Sequence, residues 1–135
     1  MREVCFLIGA NHAVLWSDAG ASPVALADSR ARWEAIWRLR DELLEIAHSH
    51  PVGPLGFSRE DETTMSALLT ALGRPLRFSV VAPAGMLVRI DRRDLAVDLA
   101  VDDEPPWAAR LRRESGMNEQ GTSKANESDE SEVKP

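Results

Sequence analysis

His48-Ser49-His50-Pro51-Val52-Gly53-Pro54-Leu55-Gly56-Phe57-Ser58-Arg59-Glu60-Asp61 joins two opposite kinds of local structure. Upstream of it, residues 44–49 read as a strand that stops at Pro51, because proline has no N–H to give a ladder. Downstream, Ser58 opens a helical pattern with Met65, Leu68, Leu69 and Leu72 on one face, and Gly73 and Pro75 end it. Between the two, Gly53, Pro54 and Gly56 require an irregular loop over 52–57. A strand that ends in two histidines, a glycine-rich loop and a capped helix form a unit whose polar residues are gathered at one end.

Working outward, residues 4–9 form a continuous apolar run of strand length, and 12–16 can pair with it as a hairpin. Residues 17–29, rich in Ala, Gly, Ser and Pro, read as a loop. Trp33, Ile36, Trp37 and Arg40 fall at i, i+3, i+4 and i+7; the apolar members, with Leu43 and Leu44 beyond, make one stripe of an amphipathic helix. Residues 76–82, 86–90 and 95–101 read as three more strands. In the last, Leu95, Val97, Leu99 and Val101 alternate with Ala96, Asp98 and Ala100, the pattern of a strand with one wet face. Pro105 and Pro106 interrupt before a short terminal helix over 107–113. The expected fold is a mixed α/β (α+β) domain: a sheet of five or six strands flanked by two main helices.

The chain has 135 residues, 44% hydrophobic and 28% charged, which suits one globular domain with a hydrophobic core. Its net charge of −6 argues against nucleic acid as a partner. No apolar run approaches the ~20 residues of a membrane-spanning helix, and the N-terminus lacks the build of a secretory signal. A single cysteine, Cys5, excludes an internal disulfide and favours a reducing compartment, so a cytoplasmic location is expected. Residues 118–135 carry five acidic residues against two lysines and no aromatic residue. The domain is therefore expected over 1–113, followed by a disordered acidic tail over 114–135.

Of the three histidines, two stand one residue apart at the end of the strand before the loop. Strand side chains alternate, so His48 and His50 share a face. Asp61, on the first turn of the following helix, can return across the loop to meet them. Two imidazoles and one carboxylate make three zinc ligands and leave the fourth tetrahedral position open, which is how a catalytic site differs from a structural one. Taken singly, each feature has a plainer meaning: a surface His-x-His pair, or a helix cap in which Ser58 meets the amide of Asp61. Cys5 reads as a core residue, His12 as surface, and Trp16, Trp33, Trp37 and Trp107 as filling core or interface.

The joint spacing resembles the signature of the JAMM zinc metalloproteases, also called JAB or MPN-plus domains. In that signature His-x-His is followed by seven residues, then Ser, two residues and Asp; here these are His48, His50, the seven residues 51–57, Ser58 and Asp61. The resemblance implies an MPN/JAB-like fold with His48, His50 and Asp61 holding zinc. It implies that Glu3, in the segment Glu3-Val4-Cys5-Phe6-Leu7-Ile8-Gly9, is the catalytic base, and that Ser58 stabilises the oxyanion. Among rival bases, Glu45 points to the other face of its strand, Glu60 and Glu62 turn away from the ligand, and Glu34 and Glu42 lie on or near a helix that faces elsewhere. The chain departs from the family's pattern at Phe6, where a glycine is common, and at Phe57, where a proline often precedes the serine. Family members also carry a helix before the glutamate. Only two residues precede Glu3 here, so either the start is truncated or a partner protein completes the N-terminal side.

The implied activity is hydrolysis of the peptide or isopeptide bond after the C-terminal tail of a ubiquitin-like or sulfur-carrier protein. The alternative is a non-catalytic or partner-dependent MPN scaffold that binds without cleaving.

Overall fold

The computed structural model describes residues 1–24, 29–92 and 95–117. Along the chain run β1 (Val4–Ile8), a 3-10 turn (Ala10–His12), β2 (Val14–Ala19), α1 (Arg30–Arg38), β3 (Glu45–Ser49), α2 (Arg59–Leu72), β4 (Arg77–Ala82), β5 (Gly85–Arg92), β6 (Leu95–Ala100) and α3 (Pro106–Ser115). The strands make one open mixed sheet in the order β2-β1-β3-β4-β5-β6. Every neighbouring pair is antiparallel except β3 and β4. Parallel neighbours cannot be joined by a tight turn, so the chain must cross over the sheet between them. The crossover is α2, and the loop that carries the polar segment leaves the C-terminal end of β3 to start it. That is the end of a parallel strand where α/β folds place their sites.

Side-chain alternation along the strands makes two cores. Cys5, Leu7, Ile46 and Phe78 pack with Ala35 and Ile36 of α1 and with Met65 and Leu68 of α2. Val4, Phe6, Ile8, Ala47, Val81 and Met86 pack with Trp107, Ala108 and Leu111 of α3. Phe6, at the position where the resembled family favours glycine, is fully buried in this second core, on the face of β1 away from Glu3 and Cys5. Arg112 of α3 is buried with its charge met by Glu104, and it donates to the carbonyls of Ala82 and Gly85 at 3.2 Å. A buried guanidinium that is fully hydrogen-bonded fastens α3 to the turn between β4 and β5 without an unpaired charge.

The single mixed domain is as expected from the sequence, with six strands and three α-helices among the described residues. Several elements differ. β2 extends to Ala19 through the start of the expected loop, paired with β1 from Val4↔Ala19 to Ile8↔Val14. The amphipathic stripe predicted through Arg40 to Leu44 is cut short, because α1 ends at Arg38. The turn beyond it is held by Arg74, whose guanidinium donates to the carbonyls of Arg40 and Leu43, a contact between residues more than thirty apart. In α1 the buried residues are Ala35 and Ile36, while Trp33 and Trp37 are 38% and 56% exposed. β6 has no dry face: among the described residues it pairs with β5 alone, at the sheet edge, and Leu95 and Leu99 are exposed. The terminal helix runs to Ser115, and Met117 beyond it is buried, so the ordered part passes residue 113. The rest of the expected tail, 118–135, lies outside the described residues. Among the described residues no helix is long and apolar enough to cross a membrane.

Candidate metal centre

The antiparallel register of β1 and β3 sets Cys5 opposite His48. Continued by two residues, the same register brings Glu3 opposite His50. Glu3, His48 and His50 each present a ligand atom, and these atoms lie within 4.8 Å of one another. Glu3 and His50 are buried and His48 is half-buried, so the group lies in a recess of the surface.

Asp61 closes the cluster from the first turn of α2. His48 Nε2 and His50 Nε2 are 3.1 Å apart, and Asp61 Oδ2 stands 3.2 Å from the first and 3.3 Å from the second. Donor atoms bound at ~2.0–2.1 Å around a tetrahedral zinc ion stand ~3.3 Å from one another, so this triangle already has the edge lengths of three zinc ligands. The Glu3 carboxylate lies within 4.8 Å of the histidine ligand atoms, so Glu3, His48 and His50 are themselves a group that could hold a metal ion.

Each donor is held by a further contact. His50 Nδ1 lies 3.1 Å from the carbonyl oxygen of Pro54, so as the N–H tautomer it donates there and turns the Nε2 lone pair to the centre. The His48 ring packs edge-on against His50 at 4.8 Å and lies 6.3 Å from Phe57. Asp61 is held by its capping box: the Ser58 N–H donates to Oδ2 at 2.8 Å, and the Asp61 N–H donates to Ser58 Oγ at 3.0 Å. The cap and the cluster are thus one structure. Burial alone would raise the Asp61 carboxyl, but hydrogen bonds from His48 and His50, the His48 charge and the Ser58 amide outweigh it and hold the group well below the usual carboxylate range. Burial works against protonation of His50, yet its bonds to Asp61 and Pro54 and the charges of Asp61 and Glu3 raise its pKa. Burial raises the Glu3 carboxyl, against the opposing charges of His48 and His50.

One further anchor was not foreseen from the sequence. Arg89 of β5 donates to Asp98 on β6 and, at 2.8 Å, to Glu62, the neighbour of Asp61, while its guanidinium lies 4.8 Å over the Phe57 ring. One residue therefore grips both ends of the segment that presents Ser58 and Asp61. No local pattern marks Arg89; only the sheet order brings it beneath α2.

The cluster stands at one end of a cleft of about 410 Å³ between α1, α2 and the sheet. Ser58, exposed, also borders it. Glu60, expected to turn away, borders the cleft as well, because the first turn of α2 forms its rim. Glu62 does turn away, to Arg89. Glu45 is buried on the opposite face of β3, hydrogen-bonded by Ser79 and 3.4 Å from Arg77. Cys5 is 2% exposed and burial pushes its thiol up to about 12, the setting of a core residue rather than a nucleophile. His12 is exposed on the 3-10 turn. Trp107 is buried in the second core and Trp16 packs against the first.

A scan of protein-family models finds none that matches the chain, and a search of the curated proteins finds no match.

Proposed function

We propose that the chain is a zinc-dependent peptidase or isopeptidase of the JAMM (MPN-plus) kind, with His48, His50 and Asp61 as metal ligands. The observation that carries this reading is the triangle of Nε2, Nε2 and Oδ2 atoms with edges of 3.1, 3.2 and 3.3 Å. A set of two imidazoles and one carboxylate suits zinc, and three protein ligands leave a tetrahedral position for water. When bound, zinc acts as a Lewis acid and lowers the pKa of a water in that position towards ~7.

The remaining steps belong to the protein's own groups. Glu3, buried beside the two histidines, takes the proton that the attacking water gives up and passes it to the leaving amine. The products are a carboxylate and a free amine. Ser58 Oγ accepts from the Asp61 amide, which leaves its own O–H to donate to the carbonyl oxygen as charge develops there. The substrate class follows from the motif resemblance: the extended C-terminal tail of a ubiquitin-like or sulfur-carrier protein, bound as an added strand. A partner protein on the N-terminal side, next to Glu3, belongs to the same proposal.

The test is zinc content per chain in purified protein, beside a variant carrying both His48→Ala and His50→Ala. About one zinc in the parent and little in the variant supports the reading and directs a search among ubiquitin-like substrates. A well-folded parent that takes up no zinc, even when supplied with it, overturns the reading and favours the scaffold. Zinc uptake without hydrolysis of any ubiquitin-like conjugate favours the scaffold as well.

A further inference from the structure

The ladder between β1 and β3 runs from Ile8↔Glu45 to Cys5↔His48. Glu3 and His50 lie past its end, so backbone pairing does not fix one against the other. Side chains take over there. The Val4 N–H donates to Ser49 Oγ at 2.9 Å, and Ser115 Oγ, at the end of α3, donates to the same oxygen. Ser49 and Ser115 are 0% and 1% exposed, so water does not compete for these bonds. Alternation along β3 puts Ser49 on the α3 face, with His48 and His50 on the cleft face.

On the other side of Glu3, the Arg2 N–H donates to the Ser115 carbonyl at 3.0 Å. Both neighbours of Glu3 are thus tied to one residue of α3, Arg2 directly and Val4 through Ser49. Glu3 turns its own backbone the opposite way: its N–H donates to the Ser22 carbonyl at 2.9 Å, and its carbonyl accepts the Gly20 N–H at 2.8 Å. Three consecutive residues are therefore gripped from both sides.

We propose that Ser115 is a positioning residue for the Glu3 carboxylate. This rests on the zinc-peptidase reading, in which Glu3 takes a proton beside the ion, and it adds α3 to that site. A proton acceptor works only within hydrogen-bond reach of its proton, and misplacement by ~1 Å costs ~100-fold. The other contacts of α3 with β1, through Trp107, Ala108 and Leu111, are apolar and non-directional, whereas the bonds of Ser115 specify one register.

The experiment uses the full chain loaded with zinc, with acetohydroxamate as the probe. This compound chelates zinc through two oxygens and leaves a proton for a neighbouring carboxylate to hold. Glu3→Gln is expected to bind it ~10–100-fold more weakly by calorimetry, the effect of losing one charge-assisted hydrogen bond. Ser115→Ala should lose ~3–10-fold in the parent background and nothing further in the Glu3→Gln background, because residues that act through one contact are not additive. Ser115→Thr, which keeps the hydroxyl, should recover the affinity. In metal-free protein, amide exchange at Val4 should quicken in both Ser115→Ala and Ser49→Ala, while that of Leu7, deeper in the ladder, stays as it was. An equal loss in both backgrounds, or a lower melting temperature with no loss of probe affinity, overturns the proposal and leaves the zinc reading standing, with Ser115 a structural residue only. Unchanged exchange at Val4 in both serine variants overturns it too. Unchanged probe affinity in Glu3→Gln removes Glu3 from the reaction and the role of Ser115 with it. A parent chain that takes up no zinc overturns both the positioning role and the zinc reading.

Discussion

A single oxygen of Asp61 serves two structures. Oδ2 accepts the Ser58 amide that starts α2, and it also faces both histidines. Asn at this position can still accept the amide but offers a neutral ligand to the metal. Asp61→Asn is therefore expected to leave the metal-free fold nearly intact and to cost zinc affinity at least the ~10–100-fold seen when outer-shell partners are lost; competition against a chelator of known affinity measures it. Glu3→Gln removes the proposed base and keeps His48, His50 and Asp61. Its zinc content should equal the parent's while hydrolysis falls by ~10²–10⁴-fold, and retained turnover in this variant would refute the assignment of Glu3. His50 sets the sign of the pH dependence. Its pKa is raised, so its proton competes with the metal over a range that extends above the ordinary value, and zinc affinity should fall as pH drops through that range. Metal-free protein should respond in the opposite sense. The His50 contribution to stability is complete below the unfolded value of ~6.5 and is lost as pH rises through the folded one, which thermal melts at two pH values with and without zinc can separate.

At the scale of elements, the site depends on how the start of α2 is held. Ser58 and Asp61 fix it from within, and Arg89 fixes it from the sheet through Glu62 and the Phe57 ring. Arg89→Met keeps much of the packing on Phe57 and releases Glu62. Zinc affinity is expected to drop ~10-fold, with a melting temperature of the metal-free chain close to the parent's, and Arg89→Lys should recover part of the affinity. An equal fall in melting temperature and no change in zinc affinity would give Arg89 a structural role only. The capping box was legible as Ser58-x-x-Asp61, because a cap is a local contact three residues long. The end of α1 was not, because it depends on Arg74, and neither was the exposure of both faces of β6, because edge position is a property of the sheet.

For the whole molecule, the two cores meet at β1 and β3, which carry the candidate site on one face and the α3 contacts on the other. Trp107 is 3% exposed in the second core, packed among Val4, Phe6 and their neighbours on β1. Trp107→Ala should cost ~3–5 kcal/mol and weaken zinc uptake with it, since β1 also positions Glu3; chemical denaturation followed alongside zinc content tests this. The chain end matters in the same way. Ser115 Oγ bonds Ser49 Oγ, which in turn accepts the Val4 amide at 2.9 Å, and the Arg2 N–H donates to the Ser115 carbonyl at 3.0 Å. A chain cut after residue 113 is expected to be clearly less stable than one cut after 117, which thermal melts of the two compare.

Local chemistry specifies the units that close over short distances: the strand run of β1, the strand ending in two histidines, the glycine-rich loop, the capped helix after it, and the shared face of His48 and His50. Periodicity and capping act within a few residues, and the spacing of the signature lies within them. The assembled fold supplies what depends on strand order and on contacts between residues distant along the chain. It set Glu3 beside His50 across forty-six residues of intervening chain, brought Arg89 under the start of α2, and carried the terminal helix past residue 113. It also opened a cleft beside His48 and His50. No periodicity records these, because each is fixed by which strands are neighbours and which face of the sheet a helix covers.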